Sequence, residues 1–136
     1  MPNEIKIAIR QTSASTSEAA IRQHKLAIDR PVAKGGDDQG PMGGELFLAA
    51  IGGCFMSNLM AAIKGRQAEI SCAQTEVTGT LAESPARFTA VELNVAAKYS
   101  DREQFEKLVE IADRGCIMMN TLRGKLDIKV RIAALV

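Results

Sequence analysis

The feature that most constrains how this chain can fold is an uncharged segment of eighteen residues, Leu46 to Ile63. It predicts a helix, because Glu45 before it and Lys64 after it suit the helix dipole, and Gly65 suits the position just past a C-terminus. The length reaches the lower limit for a membrane span. The segment also contains the glycine pair Gly52–Gly53, several alanines, and the polar residues Ser57 and Asn58. These residues dilute the hydrophobicity that membrane insertion requires. We therefore interpret it as the buried central helix of a soluble fold.

Length, charge and cysteine use narrow the class of protein. The 136 residues match a single domain over 1–136. The formal charge of +1 without a basic block, and only 4% aromatic residues, argue against nucleic acid as a partner. Three irregularly spaced cysteines and one histidine predict neither a zinc site nor a cofactor, and free thiols suit a reducing compartment. The N-terminus lacks a signal-peptide pattern, so we expect a cytoplasmic protein without a membrane partner.

Alternation of apolar and polar residues predicts several strands. A first strand with Ile5, Ile7 and Ile9, the turn 11–17 and a second stretch with His24, Leu26 and Ile28 are interpreted as a hairpin. The glycine-rich segment from Pro31 to Gly44 is predicted as a loop. Further strands are predicted over Ile70–Leu81, which should pair with Val91–Ala97, and over Leu126–Ile132.

A second helix is predicted to begin at a capping box, in which Ser100 is the N-cap and Glu103 reaches back to it. Its buried stripe comprises Phe105, Leu108, Val109, Ala112 and Cys116. Gly115 interrupts the pattern, and Ile117–Leu122 form a further helical turn. Cys116 therefore lies either on the buried stripe or at a helix N-terminus.

A reactive thiol must be ionised, by a helix N-terminus, a nearby cation or a hydrogen-bond donor. Cys116 has the first possibility. Cys54 lies mid-helix among apolar residues, where burial alone raises the pKa, so it would need an imported cation. Cys72 is interpreted as a packing residue and His24 as a partly buried strand residue.

Beyond these patterns, the run GGDDQGPMGGELFLAAIGGC, with a second cysteine some sixty residues later, resembles the OsmC/Ohr family. The segments HKLAIDRP and RFTAVELNVAAKYSD occur in the same order, so the resemblance covers about residues 20 to 135. It implies an α+β fold with antiparallel sheets packed around two main helices. It also implies an intertwined homodimer whose sites lie at the interface.

For the peroxidase members, the resemblance implies a two-cysteine cycle that serves the stress response. Cys54 would attack an organic hydroperoxide and become a sulfenic acid, and Cys116 would resolve it as a disulfide. A dithiol reductant, a lipoylated protein in some members, would restore the thiols. Apolar residues around Cys54, including Phe47, Phe55 and Met56, would suit a fatty or aromatic peroxide.

The chain departs from the peroxidase pattern at the activating glutamate. Gly44 stands ten residues before Cys54, where organic hydroperoxide reductases carry that glutamate, and Glu45 stands nine before. Glu45 is therefore the candidate for this catalytic role, although a shift of one residue turns a helical side chain by ~100° relative to the family's glutamate.

The family's arginine and proline are also not matched directly. Arg30 is the best candidate for the arginine that stabilises the thiolate, with Arg10 and Lys34 as alternatives. Ile117 follows Cys116 where many members have proline. These departures favour an alternative function, a non-enzymatic dimer that binds a small apolar ligand or senses redox state in the same cleft.

Overall fold

The computed structural model describes residues 3–134, which form two compact units divided after Phe47. The N-terminal unit contains a three-stranded sheet and a long loop. The C-terminal unit contains a second three-stranded sheet and most of the helical residues. A single domain over 1–136 stays a prediction.

The N-terminal sheet consists of β1 (Ala8–Gln11), β2 (Ser17–Ile21) and β3 (His24–Ile28), all antiparallel in that order. The predicted hairpin was therefore wrong in its pairing, because the undetected β2 lies between the two predicted strands. The sequence of β2, SEAAI, lacks the alternation that marks a strand. His24 is exposed rather than partly buried, and residues 5–7 precede β1. Ile9 on β1 is 62% exposed.

A buried carboxylate organises the loop after β3. Asp29 is 3% exposed, and its carboxylate accepts hydrogen bonds from the Thr16 hydroxyl (2.8 Å) and from three backbone amides. These amides belong to Arg30 (2.7 Å), Asp37 (3.3 Å) and Gln39 (3.2 Å). Burial alone would raise the pKa of Asp29, but the Arg30 amide, the Thr16 hydroxyl and the Gln39 amide lower it from 3.8 to about 2.

Because the pKa of Asp29 is lowered by folding, its stabilisation is fully present above pH 3.8 and is lost as the pH falls to about 2. We expect the Asp29→Asn variant to unfold at lower urea concentration than the natural chain at neutral pH, and this difference to shrink towards pH 2. Asp37→Asn, which changes an exposed side chain, is the control. A difference that stays constant with pH would contradict the assignment.

The long apolar segment forms α1 (Gly43–Gly65), as predicted, but the helix begins three residues earlier and includes Gly65, which the sequence places just past its end. In the C-terminal unit it is followed by β4 (Ile70–Ala82), β5 (Arg87–Tyr99), α2 (Arg102–Arg114), α3 (Ile117–Leu122) and β6 (Asp127–Ile132). β4 and β5 pair antiparallel, as predicted. The predicted antiparallel arrangement has one exception, because β6 joins β5 in parallel.

Two details of the C-terminal unit differ from the sequence-based predictions. The N-cap of α2 is Asp101 rather than Ser100, and the Asp101 carboxylate accepts a hydrogen bond from the Gln104 amide at 3.1 Å. Cys72 lies at an irregularity in β4 with φ 54° and is exposed. The interpretation of Cys72 as a packing residue was therefore wrong. The predicted stripe of α2 is buried, as expected: Phe105, Leu108, Val109 and Ala112.

One row of α1 residues, four apart in sequence, lies against alternate residues of β4. A Cβ built at Gly79 would lie 3.0 Å from Leu48, and one built at Gly52 would lie 2.7 Å from Val77 Cγ2. One turn further along α1, Met56 Sδ lies 3.0 Å from Thr75 Oγ1. Four helical residues rise ~6.0 Å and two strand residues ~6.8 Å, so the two spacings stay nearly matched over this length. Glycine on α1 and on β4 permits the close approach.

We expect Gly52→Ala to destabilise the chain by about 1–3 kcal/mol, because the new methyl group overlaps Val77. The neighbouring Gly53→Ala is the matched control: a Cβ there meets nothing within 4 Å. Alanine in a helix interior is favoured over glycine by roughly 0.5–1 kcal/mol, so the control should gain stability. Urea unfolding measures both, and equal stability of the two variants would contradict the close approach.

Candidate active site

The structure brings two of the sequence-predicted site residues together within the C-terminal unit. The Cys116 Sγ lies 3.1 Å from the Cys54 Sγ, with the Cys116 thiol as the hydrogen-bond donor. Cys116 is fully buried, whereas Cys54 is partly exposed. A disulfide requires ~2.05 Å between sulfurs, so only a small movement separates the observed geometry from a bond.

A second row of α1 positions Cys54 against the junction of α2 and α3. Cys54 and Asn58 lie one turn apart on α1, and the Asn58 amide group donates to the Ala112 carbonyl at 3.5 Å. Gly115 ends α2, and Cys116, with φ −79° and ψ 121°, is the N-cap of α3. Cys116 therefore lies at a helix N-terminus, which is the second of its two predicted settings. Its side chain is nevertheless buried.

The surroundings of the two thiols shift their pKa values in opposite directions. Burial raises the pKa of Cys54, but the Met118 amide, the Cys116 thiol and the Ile117 amide outweigh burial, and the net pKa is lowered. Burial, the hydrogen bond to Cys54 and the negative charge of Cys54 raise the pKa of Cys116 and together outweigh the Met119 and Met118 amides, which lower it. When the pair loses one proton, these shifts favour the thiolate on Cys54 and the thiol on Cys116.

The sequence predicts a cation beside Cys54, but two of the groups that lower its pKa are backbone amides. They are the amides of Ile117 and Met118, the first two residues of α3. The first amides of a helix have no acceptor within the helix and carry a positive partial charge. A signal was present in the sequence, because a helical turn over Ile117–Leu122 was predicted.

The other predicted site residues have different surroundings. The Glu45 carboxylate accepts a hydrogen bond from the Met42 amide at 2.8 Å and so caps the start of its own helix. Arg10 forms an exposed ion pair with Glu18 at 3.1 Å. Arg30 is exposed and, with Lys34, lines a cavity of the N-terminal unit. Their catalytic roles stay predictions.

Comparisons with known proteins identify the family of this fold. The sequence model of the OsmC-like protein family matches residues 35–131. The chain belongs to this family. Among solved structures, the OsmC-like protein of Mycoplasma pneumoniae has a TM-score of 0.82 at 19% identity, over 100% of both chains. These findings confirm the resemblance and the mixed α+β fold drawn from the sequence.

Two further solved structures of similar fold carry the name organic hydroperoxide resistance protein. The protein from Elizabethkingia anophelis has a TM-score of 0.77 at 20% identity, over 99% of this chain and 100% of that chain. OhrB of Bacillus subtilis has a TM-score of 0.72 at 25% identity, over 96% and 98%. No curated protein matches the chain significantly.

The apolar α1 is a core helix of the OsmC-like fold. By length and composition alone it could cross a membrane, because an 18-residue window has a mean hydropathy of 1.9. However, Ile51, Phe55 and Leu59 on this helix are fully buried in the C-terminal unit. One buried stripe with a close contact to β4 is the packing of a helix in a globular fold.

The amide of Ile117 can be removed by substitution without disturbing α3. Proline is tolerated at the first helical position, and Cys116 already has the extended conformation that a following proline requires. We expect Ile117→Pro to raise the pKa of Cys54, because the thiolate loses one donor. Ile117→Ala keeps the amide and is the matched control.

The measurement is the pH dependence of alkylation, in a Cys72→Ser background that removes the exposed third thiol. Cys54 in the Ile117→Pro variant should become reactive only at higher pH than in the Ile117→Ala variant. Identical pH profiles would show that the Ile117 amide does not stabilise the thiolate.

Proposed function

We propose that this OsmC-like protein is a thiol-dependent peroxidase that reduces organic hydroperoxides, with Cys54 as peroxidatic and Cys116 as resolving cysteine. The observation that carries the proposal is the 3.1 Å contact between the two sulfurs, with the thiolate favoured on the partly exposed one. The names of the relatives from Elizabethkingia anophelis and Bacillus subtilis support the substrate class.

In the first step, the Cys54 thiolate attacks the terminal oxygen of the hydroperoxide. An S–O bond forms and the O–O bond breaks, so Cys54 becomes a sulfenic acid and the alkoxide leaves as an alcohol after taking a proton. The amides of Ile117 and Met118 stabilise the thiolate before attack. A thiolate is the nucleophilic form of cysteine, so donors that lower the pKa of Cys54 increase its reactive fraction at a given pH.

In the second step, Cys116 attacks the Cys54 sulfur. An S–S bond forms, the S–O bond breaks, and the hydroxyl leaves as water with the proton of Cys116. The buried position of Cys116 protects this thiol from direct oxidation until Cys54 has reacted. An external dithiol then reduces the disulfide by thiol exchange, and Cys54 is the sulfur that it can reach.

The proposal extends to a cytoplasmic homodimer. Only 28% of the apolar window of α1 is buried within one chain, and Met60 on α1 is 52% exposed. In the N-terminal unit, Ile5 and Ile7 are 87% and 52% exposed. A second copy of the chain would remove this apolar surface from water. The free thiols are consistent with a reducing compartment.

We expect Cys54→Ser to abolish the consumption of cumene hydroperoxide in the presence of dihydrolipoamide. Cys116→Ser should complete the first step only, so that a sulfenic acid accumulates on Cys54 and can be trapped with dimedone. Cys72→Ser is the control and should keep full turnover, since Cys72 is exposed and the contact between the two reacting sulfurs joins Cys54 and Cys116 only. Turnover by Cys54→Ser equal to that of the natural chain would refute the proposal.

The second candidate is redox sensing, or binding of a small apolar ligand, without turnover. It is favoured by Gly44, which stands where peroxidase members carry glutamate, and by the engagement of Glu45 with the Met42 amide. A sensor would oxidise once at Cys54 and would not turn over with dihydrolipoamide. A ligand-binding protein would keep its thiols reduced under excess cumene hydroperoxide.

A further inference from the structure

The N-terminal unit contains a cavity with two cationic side chains. It has a volume of about 470 Å³, and its lining includes the polar side chains of Arg30, Lys34, Ser15 and Ser17. Cavities of this size are common for small-molecule sites. The steps proposed for the peroxidase take place at two thiols of the other unit and use no residue of this cavity. Arg30 is also the arginine that the family resemblance suggests for the peroxidase, a role that stays a prediction.

Neither cation is neutralised by an ion pair. Within residues 3–134, the ion pairs involve Arg10 and four arginines of the C-terminal unit, and none involves Arg30 or Lys34. The nearby acid, Asp29, also lines the cavity, but its carboxylate already accepts four hydrogen bonds. Two positive charges and one negative charge leave the cavity with a net charge of +1.

The main chain that carries the two cations is held in place. The Arg30 amide donates to Asp29, and the Arg30 carbonyl accepts from the Asp38 amide at 3.0 Å. Gly36 lies so close to Arg30 that a Cβ there would be 2.1 Å from the Arg30 carbonyl oxygen. Lys34 ends a short 3-10 turn, and the Lys34 amide donates a hydrogen bond to the Pro31 carbonyl at 2.9 Å. A fixed backbone lowers the entropy cost of binding a ligand between the two side chains.

The remaining lining suits an anion with a small apolar part. Gly43 and Gly44, at the start of α1, have no side chains to block the approach to their backbone. Ile28 and Met42 add apolar surface. Hydroxyl groups and a guanidinium are the donors that carboxylates and phosphates accept from.

We infer that this cavity binds a small molecule through an oxyanion group, a carboxylate or a phosphate, held between Arg30 and Lys34. Arg30 supplies the forked donor and Lys34 a point charge. Ser15 and Ser17 provide further donors at the cavity wall. The site belongs to the N-terminal unit alone and requires no reaction at the thiols.

The test is calorimetric titration of the natural chain with inorganic phosphate and, separately, with butyrate. Stronger binding of phosphate identifies a phosphate site, and stronger binding of butyrate a carboxylate site. The Arg30→Ala/Lys34→Ala double variant should bind the preferred probe roughly tenfold more weakly or worse, because two charge-assisted contacts are lost. The Lys6→Ala/Lys25→Ala double variant removes the same charge away from the cavity and should stay within about twofold, since exposed charges act weakly at a distance.

Chemical-shift mapping on the natural chain keeps the test independent of variant folding. On addition of the preferred probe, the amide resonances of Ser15, Ser17, Gly43 and Gly44 should shift more than those of residues outside the cavity. Binding of neither probe, equal weakening in the two double variants, or shifts confined to other residues would overturn the inference.

Discussion

The closeness of α1 to β4 is the constraint on which the arrangement of the C-terminal unit depends. Gly52 removes a side chain that would overlap Val77 of β4, and Gly79 removes one that would lie 2.6 Å from the Phe88 ring of β5 and 3.0 Å from Leu48 of α1. Because interiors are packed at nearly crystalline density, a helix cannot shift outward by one methyl group without opening space elsewhere. The distance between α1 and β4 is therefore limited most directly at Gly52, a position that carries no chemistry of its own.

The position of the candidate site follows from this packing of α1 on β4. With one row of α1 against β4, the adjacent row that contains Cys54 and Asn58 faces the junction of α2 and α3. The break at Gly115 allows α3 to begin beside Cys54, so its first amides and the Cys116 thiol converge on one sulfur. A helix end can thus provide the positive potential that the resemblance assigns to an arginine.

The elements with long, strongly periodic patterns were predictable from the sequence, and those set by tertiary partners were not. The apolar run gave α1, and the alternation from Val91 onward gave β5, because burial dictates residue type at each step. The short β2 has no such pattern, since its neighbours on both sides satisfy its backbone regardless of side chain. The parallel pairing of β6 depends on how the chain returns to the sheet, which local sequence does not encode.

The same distinction applies to the candidate site residues. Cys54 and Cys116 could be selected because the segments around them resemble the OsmC/Ohr family, whereas their spacing alone did not mark them. The amides of Ile117 and Met118 were missed because a backbone donor has no residue-type signature. Asp29 was missed because an acid following a strand is ordinarily exposed, and only the folded loop supplies its donors.

The hydrogen bonding of Asp29 also bears on how this loop can change during evolution. Asp37 and Gln39 contact its carboxylate through main-chain amides, so their side chains contribute nothing to that contact. Any residue other than proline supplies the same donor. Replacement at these two positions therefore keeps the contact with Asp29, although replacement of Gln39 removes the hydrogen bond from its side-chain amide to the Asp37 carbonyl at 3.0 Å. Asp38, with φ 53°, tolerates few replacements.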